Sequence, residues 1–276
     1  MMGMNINPNL LKSLLILGTI IEARDPYTGG HVWRVAEYCK LLAEKAGMSK
    51  QDIFKAYISG YLHDIGKIGI PDKVLNKNTS LSKDEFELIK THTKIGGEIV
   101  RAHPLSDLVI DAVVHHHERI DGLGYPDRLE DNRIELITRI VSVADTFDAI
   151  TSVRPYKEKM PSEKAVFLIN GQRGKRFDDK LISLLIEAVD KKETDSIIGQ
   201  SSNYRPMADC KKCGPVIAVN LNKKDGDLVL CNVCGDKYKL HANGNIFELE
   251  YLSDQNVLIN PEIDYMQIDK IVDLYQ

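Results

Sequence analysis

The stretch Tyr61-Leu62-His63-Asp64-Ile65-Gly66-Lys67-Ile68-Gly69-Ile70-Pro71-Asp72 decides how the whole chain is interpreted. Apolar residues at helical spacing lead into it, and glycines and a proline follow, so it joins the end of an amphipathic helix to a loop. His63 and Asp64 therefore stand at a helix end, where neighbouring side chains can share a metal ion. Imidazole is a frequent ligand of transition metals, and an aspartate can bridge two of them with its two oxygens. An isolated His-Asp pair is more often merely solvated, so the interpretation depends on matching residues elsewhere in the chain.

Composition sets the class of protein. The chain has 276 residues, of which 43% are hydrophobic and 28% charged, so we expect a folded core in one large or two modest domains. A net charge of −4 gives no overall basic surface, which makes nucleic acid an unlikely class of partner. The longest apolar N-terminal run, residues 10–21, is interrupted by Lys12 and Ser13 and is too short to cross a bilayer. It lacks the features of a signal peptide, so we expect a cytoplasmic protein without a membrane anchor.

The pattern of apolar residues predicts two regions of different structure. Helices are expected over about 9–24, 31–46, 50–63, 82–102, 106–116, 134–152, 162–169 and 178–190. Short β-prone runs separated by Gly, Asn and Asp follow at 216–219, 228–230, 238–240 and 246–252. The sequence therefore predicts a mainly α protein: an all-α domain over 1–195, a polar linker over 196–205, and a small β-rich domain with a C-terminal helix over 206–276. That last helix could pack on either domain or on a second chain, so a homodimer stays open.

The α-domain contains further residues that can bind a metal ion. They are His31, His92, the run His115 to His117, and Asp145. Taken singly, His92 could be a satisfied core histidine, the run a solvated helix end, and Asp145 a buried cap or ion pair. A buried aspartate is costly unless it is paired or bound to metal, and helical bundles build metal sites from inward-facing side chains of several helices. Together with His63 and Asp64, these residues favour a metal centre.

The motifs resemble those of one family. The stretch 63–72, followed by His117-Glu118-Arg119 and Asp121-Gly122-Leu123-Gly124-Tyr125-Pro126, closely resembles the HD-GYP subgroup of HD-domain phosphohydrolases. Further agreement lies in residues 27–31, 143–149 and 154–156, and in Gly174 with Phe177-Asp178. The resemblance covers about residues 20–189 and implies an HD-type helical bundle.

The resemblance implies hydrolysis of the bacterial second messenger cyclic di-GMP to linear pGpG, and in some members onward to GMP. It implies two divalent metal ions, with Asp64 bridging them, held by His31, His63, Asp64, His92, His116, His117 and Asp145. Asp64 and Lys67 would be the catalytic residues. The substrate would contact Lys67, Arg154 and Lys157, and the loop with Gly122, Gly124, Tyr125 and Pro126 would shape its pocket. Some members hold a third metal with a Glu one turn before the first His; Tyr27 stands there in this chain, which favours two metals.

The chemistry of this residue set predicts the metals and the reaction. A His-rich set with carboxylates suits iron or manganese better than magnesium. Two such ions activate a water and hold phosphate oxygens, while Lys67 would stabilise the charge that grows on the phosphate. Two alternatives stay open: a receptor that keeps the fold but signals through protein contacts, and a hydrolase of another nucleotide such as a hybrid cyclic dinucleotide. The complete ligand set favours the enzyme.

Four of the five cysteines form two matching pairs, Cys210 with Cys213 and Cys231 with Cys234, each followed by a glycine. Four thiolates satisfy a tetrahedral zinc ion, and a domain this small needs such a staple. The residues from about 206 to 252 therefore resemble a zinc ribbon; free or redox-active thiols are the alternative. Its lysines more often form a solvated face than a binding site, and a protein partner for this domain stays open. Cys39 is expected in the helical core.

Overall fold

The computed structural model describes residues 6–24, 29–77, 79–152, 160–202, 205–243, 246–254 and 263–275. The described helices are α1 Pro8–Arg24, α2 His31–Lys45, α3 Lys50–Leu62, α4 Asp72–Leu75, α5 Lys83–Lys90, α6 His92–Arg101, α7 Ile110–His115, α8 Leu136–Thr151, α9 Ser162–Asn170, α10 Asp179–Asp190 and α11 Tyr265–Leu274. The strands are β1 Gln200–Ser202, β2 Arg205–Pro206, β3 Ala208–Cys210, β4 Gly214–Ile217, β5 Leu228–Leu230, β6 Lys237–Asn243 and β7 Ile246–Ser253. The predicted fold class, a helical domain followed by a small β-rich one, is confirmed.

Local capping explains where several helices begin. Ser49 accepts a hydrogen bond from the Asp52 backbone N–H at the start of α3. Ser82 and Glu85 form the capping box of α5, as the sequence predicts. Asp178 accepts from two backbone N–H groups in the first turn of α10. These caps satisfy donors that have no partner inside the helix, so the start of each helix is encoded locally.

Two helix predictions need correction. The single helix expected over 82–102 is two helices, with Thr91 at the break. The reason is packing: α5 has no buried residue, whereas α6 has five, so the chain changes direction to point His92 inward. The helix expected to begin after Ser106 starts instead with a 3-10 turn, Ser106–Leu108, and α7 begins at Ile110.

The helical domain has two hydrophobic clusters that meet along α2 and α3. One contains side chains of α2, α8, α9 and α10, with Phe147 and Leu181 fully buried. The other contains side chains of α1, α3, α7 and α11. Ile268 and Ile271 of α11 lie in this second cluster with Leu14 of α1, so the C-terminal helix packs on the helical domain. In the described parts of the chain, no helix is both long and apolar enough to cross a membrane.

The β-rich region contains small antiparallel sheets. Strand β3 pairs with β4, and β5, β6 and β7 form a three-stranded sheet in that order. Their inward side chains form a third hydrophobic cluster around Cys210, Cys231 and Tyr238. The expected division into 1–195, 196–205 and 206–276 stays a prediction. Within its middle segment, Ile197 packs into the helical core and β1 pairs with β2.

Candidate metal centre

Asp64 lies at the centre of the cluster of imidazoles. It lies just after α3, at the position before a 3-10 turn, Ile65–Gly69. Its Oδ2 lies 3.7 Å from His31 Nε2 and 3.2 Å from His63 Nε2. Its Oδ1 lies 3.4 Å from His92 Nε2 and 3.8 Å from His116 Nε2. The two oxygens of one carboxylate therefore face two different pairs of imidazoles.

The remaining candidate ligands complete the two sides. Asp145 Oδ1 lies 3.6 Å from His31 Nε2 and 3.8 Å from His63 Nε2. The ligand atoms of His92, His116 and His117 all lie within 4.8 Å of one another, as do those of His31, His63 and Asp64. We call His31, His63, Asp145 and Asp64 Oδ2 the first subsite. The second subsite is His92, His116, His117 and Asp64 Oδ1.

A glycine allows these residues to meet. A Cβ on Gly66 would lie 1.8 Å from the carbonyl oxygen of His92 and 2.4 Å from the backbone nitrogen of Gly96. The turn after Asp64 therefore lies directly on the first turns of α6, at a distance that only glycine permits. This contact brings the end of α3 next to the start of α6, and so Asp64 next to His92.

Hydrogen bonds fix which nitrogen of each ring faces inward. The rings of His63, His92 and His116 place Nδ1 at 2.8, 2.7 and 3.0 Å from backbone carbonyl oxygens of the preceding turn. A carbonyl oxygen only accepts, so Nδ1 carries the proton in each ring. In the neutral imidazole, Nε2 then presents a lone pair to the cluster. Burial lowers the pKa of His116 to about 3 and also lowers that of His92, which keeps both rings neutral.

His31 is oriented by a side chain instead. Its Nδ1 lies 2.7 Å from Asp148 Oδ2. Arg34 donates to the same carboxylate from Nε at 2.6 Å and from Nη2 at 3.1 Å. Burial by itself would lower the pKa of His31, but the carboxylates of Asp148 and Asp64 raise it to about 9. A cation that takes its Nε2 therefore displaces a proton.

The inward nitrogens match a metal site better than a hydrogen-bond network. The Nε2 atoms of His31 and His63 are buried without a hydrogen-bond partner among the described residues. The Nε2 atoms of His92 and His116 lie 3.3 Å apart although both are acceptors, so a hydrogen bond cannot join them. Cations between these atoms would satisfy the lone pairs of His63, His92 and His116, and that of His31 once its proton is displaced. The residues therefore fit divalent metal ions on both sides of Asp64.

The acidic groups of the cluster stay ionised. Burial would raise the pKa of Asp64, but Lys67 and His63 hold it well below its usual range. The Lys67 Nζ lies 2.5 Å from Asp64 Oδ2. Burial also opposes ionisation of Asp145, and the neighbouring His63 and His31 lower its pKa in spite of that. Ionised carboxylates are the form that binds a metal ion.

The loop that carries the predicted Gly-Tyr-Pro segment lies beside the second subsite. The Tyr125 ring stacks on the His117 ring, with centroids 4.8 Å apart and planes 28° apart. The buried Glu118 carboxylate accepts the Asp127 backbone N–H at 2.6 Å and the Leu129 backbone N–H at 3.1 Å. Glu118 thus anchors the loop at its base, a role that we did not assign from the sequence.

The glycines and proline of this loop shape its path. A Cβ on Gly124 would lie 2.4 Å from Glu118 Cα, so the loop folds tightly onto its own base. Gly122 has a positive φ of 72°, and the Tyr125-Pro126 peptide is cis. The close approach at Gly124 is what sets Tyr125 over His117.

The structure does not place all predicted residues. Tyr27, Arg154 and Lys157 lie outside the described residues. His115, to which the sequence assigned no role, points elsewhere and bonds Asp111 at 2.9 Å and Asp127 at 3.0 Å.

Sequence reasoning missed Arg34 and Asp148. A signal existed for both, because each stands three residues after a candidate ligand on the same helix, His31 and Asp145 respectively.

The four cysteines of the β-rich region also converge. Their sulfur atoms lie within 4.8 Å of one another, and Cys210 Sγ is 3.5 Å from Cys234 Sγ. The Tyr238 hydroxyl donates to Cys210 Sγ at 3.3 Å. All four are free thiols in the structure. A tetrahedral ion with Zn–S distances of about 2.3 Å requires this spacing, so the cluster fits zinc.

Comparison with known proteins decides the family. A family model described as "HD domain" matches residues 16–181, more than half of the chain. The chain belongs to the HD-domain family. The resemblance stated from the motifs is thereby confirmed, and HD-domain phosphohydrolases are metal-dependent.

Individual relatives of this HD domain are phosphodiesterases by name. It is 38% identical over 193 residues to the cyclic di-GMP phosphodiesterase response regulator RpfG of Xanthomonas campestris, covering 69% of this chain and 50% of the relative. It is 39% identical over 188 residues to a cyclic di-GMP phosphodiesterase of Thermotoga maritima, covering 67% and 51%. The chain thus spans about half the length of these curated relatives.

A solved structure shares the fold. The crystal structure of the cyclic GMP-AMP-specific phosphodiesterase V-cGAP3 of V. cholerae superposes with a TM-score of 0.52 at 21% identity. The match covers 68% of this chain and 50% of the other. At this identity the likeness shows the fold alone.

Proposed function

We propose that this HD-domain protein is a metal-dependent cyclic-dinucleotide phosphodiesterase that hydrolyses cyclic di-GMP to pGpG. The observation that carries the proposal is Asp64, whose two oxygens face two separate sets of imidazole Nε2 lone pairs. Such a carboxylate is suited to bridge two metal ions, the arrangement used for phosphodiester hydrolysis. The names of the two bacterial relatives, which cover the same domain, support the choice of substrate.

The chain's own residues have distinct parts in this reaction. When bound, two divalent cations would supply an activated water and neutralise charge on the scissile phosphate. Lys67 holds a cationic group against Asp64, with a side chain 19% exposed, so it can also reach a phosphate oxygen at the edge of the cluster. Asp145 keeps a second carboxylate beside the first subsite. His31, His63, His92, His116 and His117 would bind the metals through neutral rings.

The substrate pocket is proposed on the side of the second subsite. Tyr125, stacked on His117, presents an aromatic face on which a guanine base could pack. Gly122, Gly124 and Pro126 give the loop the shape that holds this ring. Arg154 and Lys157 are proposed to contact phosphate on the basis of the motif resemblance alone.

The metals follow from the donor atoms. We propose iron or manganese in the helical domain, because nitrogen-rich sets with carboxylates favour these ions over magnesium. We propose zinc at Cys210, Cys213, Cys231 and Cys234, as a structural ion. A protein partner for the cysteine domain and a homodimer stay predictions.

The test is hydrolysis of cyclic di-GMP by the anaerobically purified protein loaded with iron or manganese, with metal content measured on the same sample. Asp64→Ala should lose both turnover and the metals of the helical domain, because each subsite loses a ligand. Asp107→Ala, at an exposed position outside the cluster, is the matched control.

Full activity in Asp64→Ala would refute the metal-centre assignment. A wild type that binds cyclic di-GMP but does not cleave it would make the protein a receptor. Faster cleavage of cyclic GMP-AMP than of cyclic di-GMP would retain the chemistry and change the substrate.

A further inference from the structure

Arg34 occupies an unusual place between a candidate metal ligand and the segment that leads to the cysteine domain. It stands one helical turn after His31 on α2, and its guanidinium binds the Asp148 carboxylate with two nitrogens. Asp148 in turn accepts from the His31 ring. All three residues are at most 4% exposed. Arg34, to which the sequence analysis assigned no role, therefore holds the Asp148 carboxylate that orients the His31 ring.

The third nitrogen of the guanidinium reaches out of the helical bundle. Nη1 donates to the carbonyl oxygen of Gly29 at 3.1 Å and to that of Gln200 at 2.7 Å. Gln200 begins β1, which connects the helical domain to the cysteine domain. A Cβ on Gly30, the residue before His31, would lie 2.5 Å from Ser201 Cα, so β1 lies directly against the start of α2.

We infer that Arg34 is a positioning residue for the first subsite, and that the Gln200 carbonyl on β1 is part of what holds it. This inference rests on the proposed metal centre. The guanidinium is a planar fork whose hydrogen bonds all lie in one plane, so two carbonyls on one side and a carboxylate on the other fix its orientation. The guanidinium holds Asp148, and Asp148 holds the His31 ring, because the hydrogen-bond partner of the ring nitrogen that does not bind the metal sets the direction and the tautomer of the ring.

The first subsite differs from the second in containing His31. The rings of His63, His92 and His116 are oriented by backbone carbonyls three or four residues earlier in the chain. The His31 ring is oriented by a relay of two side chains that spans α2, α8 and β1. Loss of the Arg34 fork should therefore weaken metal binding at the first subsite and leave the second nearly unchanged.

The variant Arg34→Lys tests this inference in the full-length chain with Mn²⁺ as the probe. Lysine keeps the positive charge but cannot contact the carboxylate twice and a carbonyl at once. We expect one of the two Mn²⁺ ions to bind about 10- to 100-fold more weakly, the usual effect of removing an outer-shell partner. The electron paramagnetic resonance signal should change from that of a coupled pair to that of single ions.

Arg139→Lys is the matched control. Arg139 lies on α8, and its Nη1 is 2.6 Å from Oδ2 of a partly buried aspartate, Asp178, which caps α10. The control should keep the coupled signal although it carries the same replacement at a comparable ion pair. The inference would be overturned if Arg34→Lys bound two Mn²⁺ ions with wild-type affinity and kept the coupled signal.

A second measurement uses the wild type, and it tests the inference even if Arg34→Lys does not fold. Loading with Mn²⁺ should slow backbone amide exchange in residues 197–202, measured by mass spectrometry, because β1 is tied to the loaded subsite. Unchanged exchange there, alongside slower exchange at the start of α2, would overturn the inference. A wild type that binds no Mn²⁺ in the helical domain refutes the proposed function itself, so the two failures are distinguishable.

Discussion

Substitution of Gly66 by alanine should separate the two halves of the metal centre. A Cβ at this position would lie 1.8 Å from the His92 carbonyl oxygen and 2.4 Å from the Gly96 nitrogen, both backbone atoms that no rotamer change can move. Ordinary contacts begin at about 3.5 Å, so the turn and α6 must move apart by roughly 1–2 Å. Asp64 lies two residues before Gly66, and its Oδ1 is 3.4 Å from His92 Nε2, so this movement pulls the Asp64 carboxylate away from the second subsite.

The magnitude follows from this geometry. Overpacking of this kind costs about 1–3 kcal/mol of unfolding free energy, which lowers the melting temperature of a domain of this size by roughly 2–12 °C. A misplacement of about 1 Å in a catalytic constellation can cost about 100-fold in rate. We therefore expect Gly66→Ala to fold, to melt at a lower temperature, and to hydrolyse cyclic di-GMP at least about 100-fold more slowly.

The assay compares thermal unfolding, Mn²⁺ stoichiometry and turnover of Gly66→Ala with those of Gly171→Ala. Gly171 ends α9 with φ −63°, and the nearest heavy atom to an added Cβ is the Leu168 carbonyl oxygen at 3.3 Å. This control should change none of the three quantities appreciably. Wild-type turnover and an unchanged melting temperature in Gly66→Ala would show that the turn does not need its close contact with α6.

Three further predictions concern other parts of the chain. Glu118→Gln leaves one of the Asp127 and Leu129 N–H groups without an acceptor, so unfolding free energy should fall by about 1–3 kcal/mol; an unchanged denaturation curve would contradict this. Burial raises the pKa of Glu22 to about 7 from 4.5, so the folded state holds that proton more tightly than the unfolded one. Stability of the wild type relative to Glu22→Gln should therefore fall as pH rises from about 5 to 7, and a pH-independent difference in melting temperature would speak against it. Cys231→Ser should reduce bound zinc, measured by mass spectrometry, and a full zinc complement would count against the four-cysteine site.

Local sequence signals predicted much of the site. The candidate ligands stand at helix ends or on an inward stripe, and the structure brings all of the described ones together around Asp64. Helix starts were predictable because a cap such as Ser82 or Asp178 bonds to residues within its own first turn. These interactions depend on sequence neighbours, so a single sequence is enough to find them.

Long-range contacts were not predictable in this way. The break at Thr91 depends on which face of α6 meets the rest of the bundle, which no local pattern states. The bond from Arg34 to the Gln200 carbonyl joins residues 166 positions apart, and a backbone acceptor leaves no trace in the side-chain pattern. Gly66 was visible as a motif residue, but the reason for it, the approach of α6, became clear only in three dimensions.

The different positions of Asp145 and Asp148 explain why only Asp145 is a candidate ligand. Both project from α8 beside the His31 ring, but on opposite sides: Asp148 lies against Nδ1 at 2.7 Å, and Asp145 lies 3.6 Å from Nε2. Both oxygens of Asp148 already accept from Arg34, and one also accepts from His31, so it has little capacity left for a metal. Asp145 faces Nε2, the ring nitrogen from which a metal ion would displace the proton.

The charges agree with this difference. The three carboxylates Asp64, Asp145 and Asp148 face two cationic side chains, Arg34 and Lys67, and the His31 ring, whose pKa of about 9 gives it a positive charge at neutral pH. Divalent cations would take the place of the His31 proton and would make the site net positive. A net positive, partly enclosed site is what an anionic phosphodiester requires, so metal binding would turn a charge-balanced cluster into one that suits the proposed substrate.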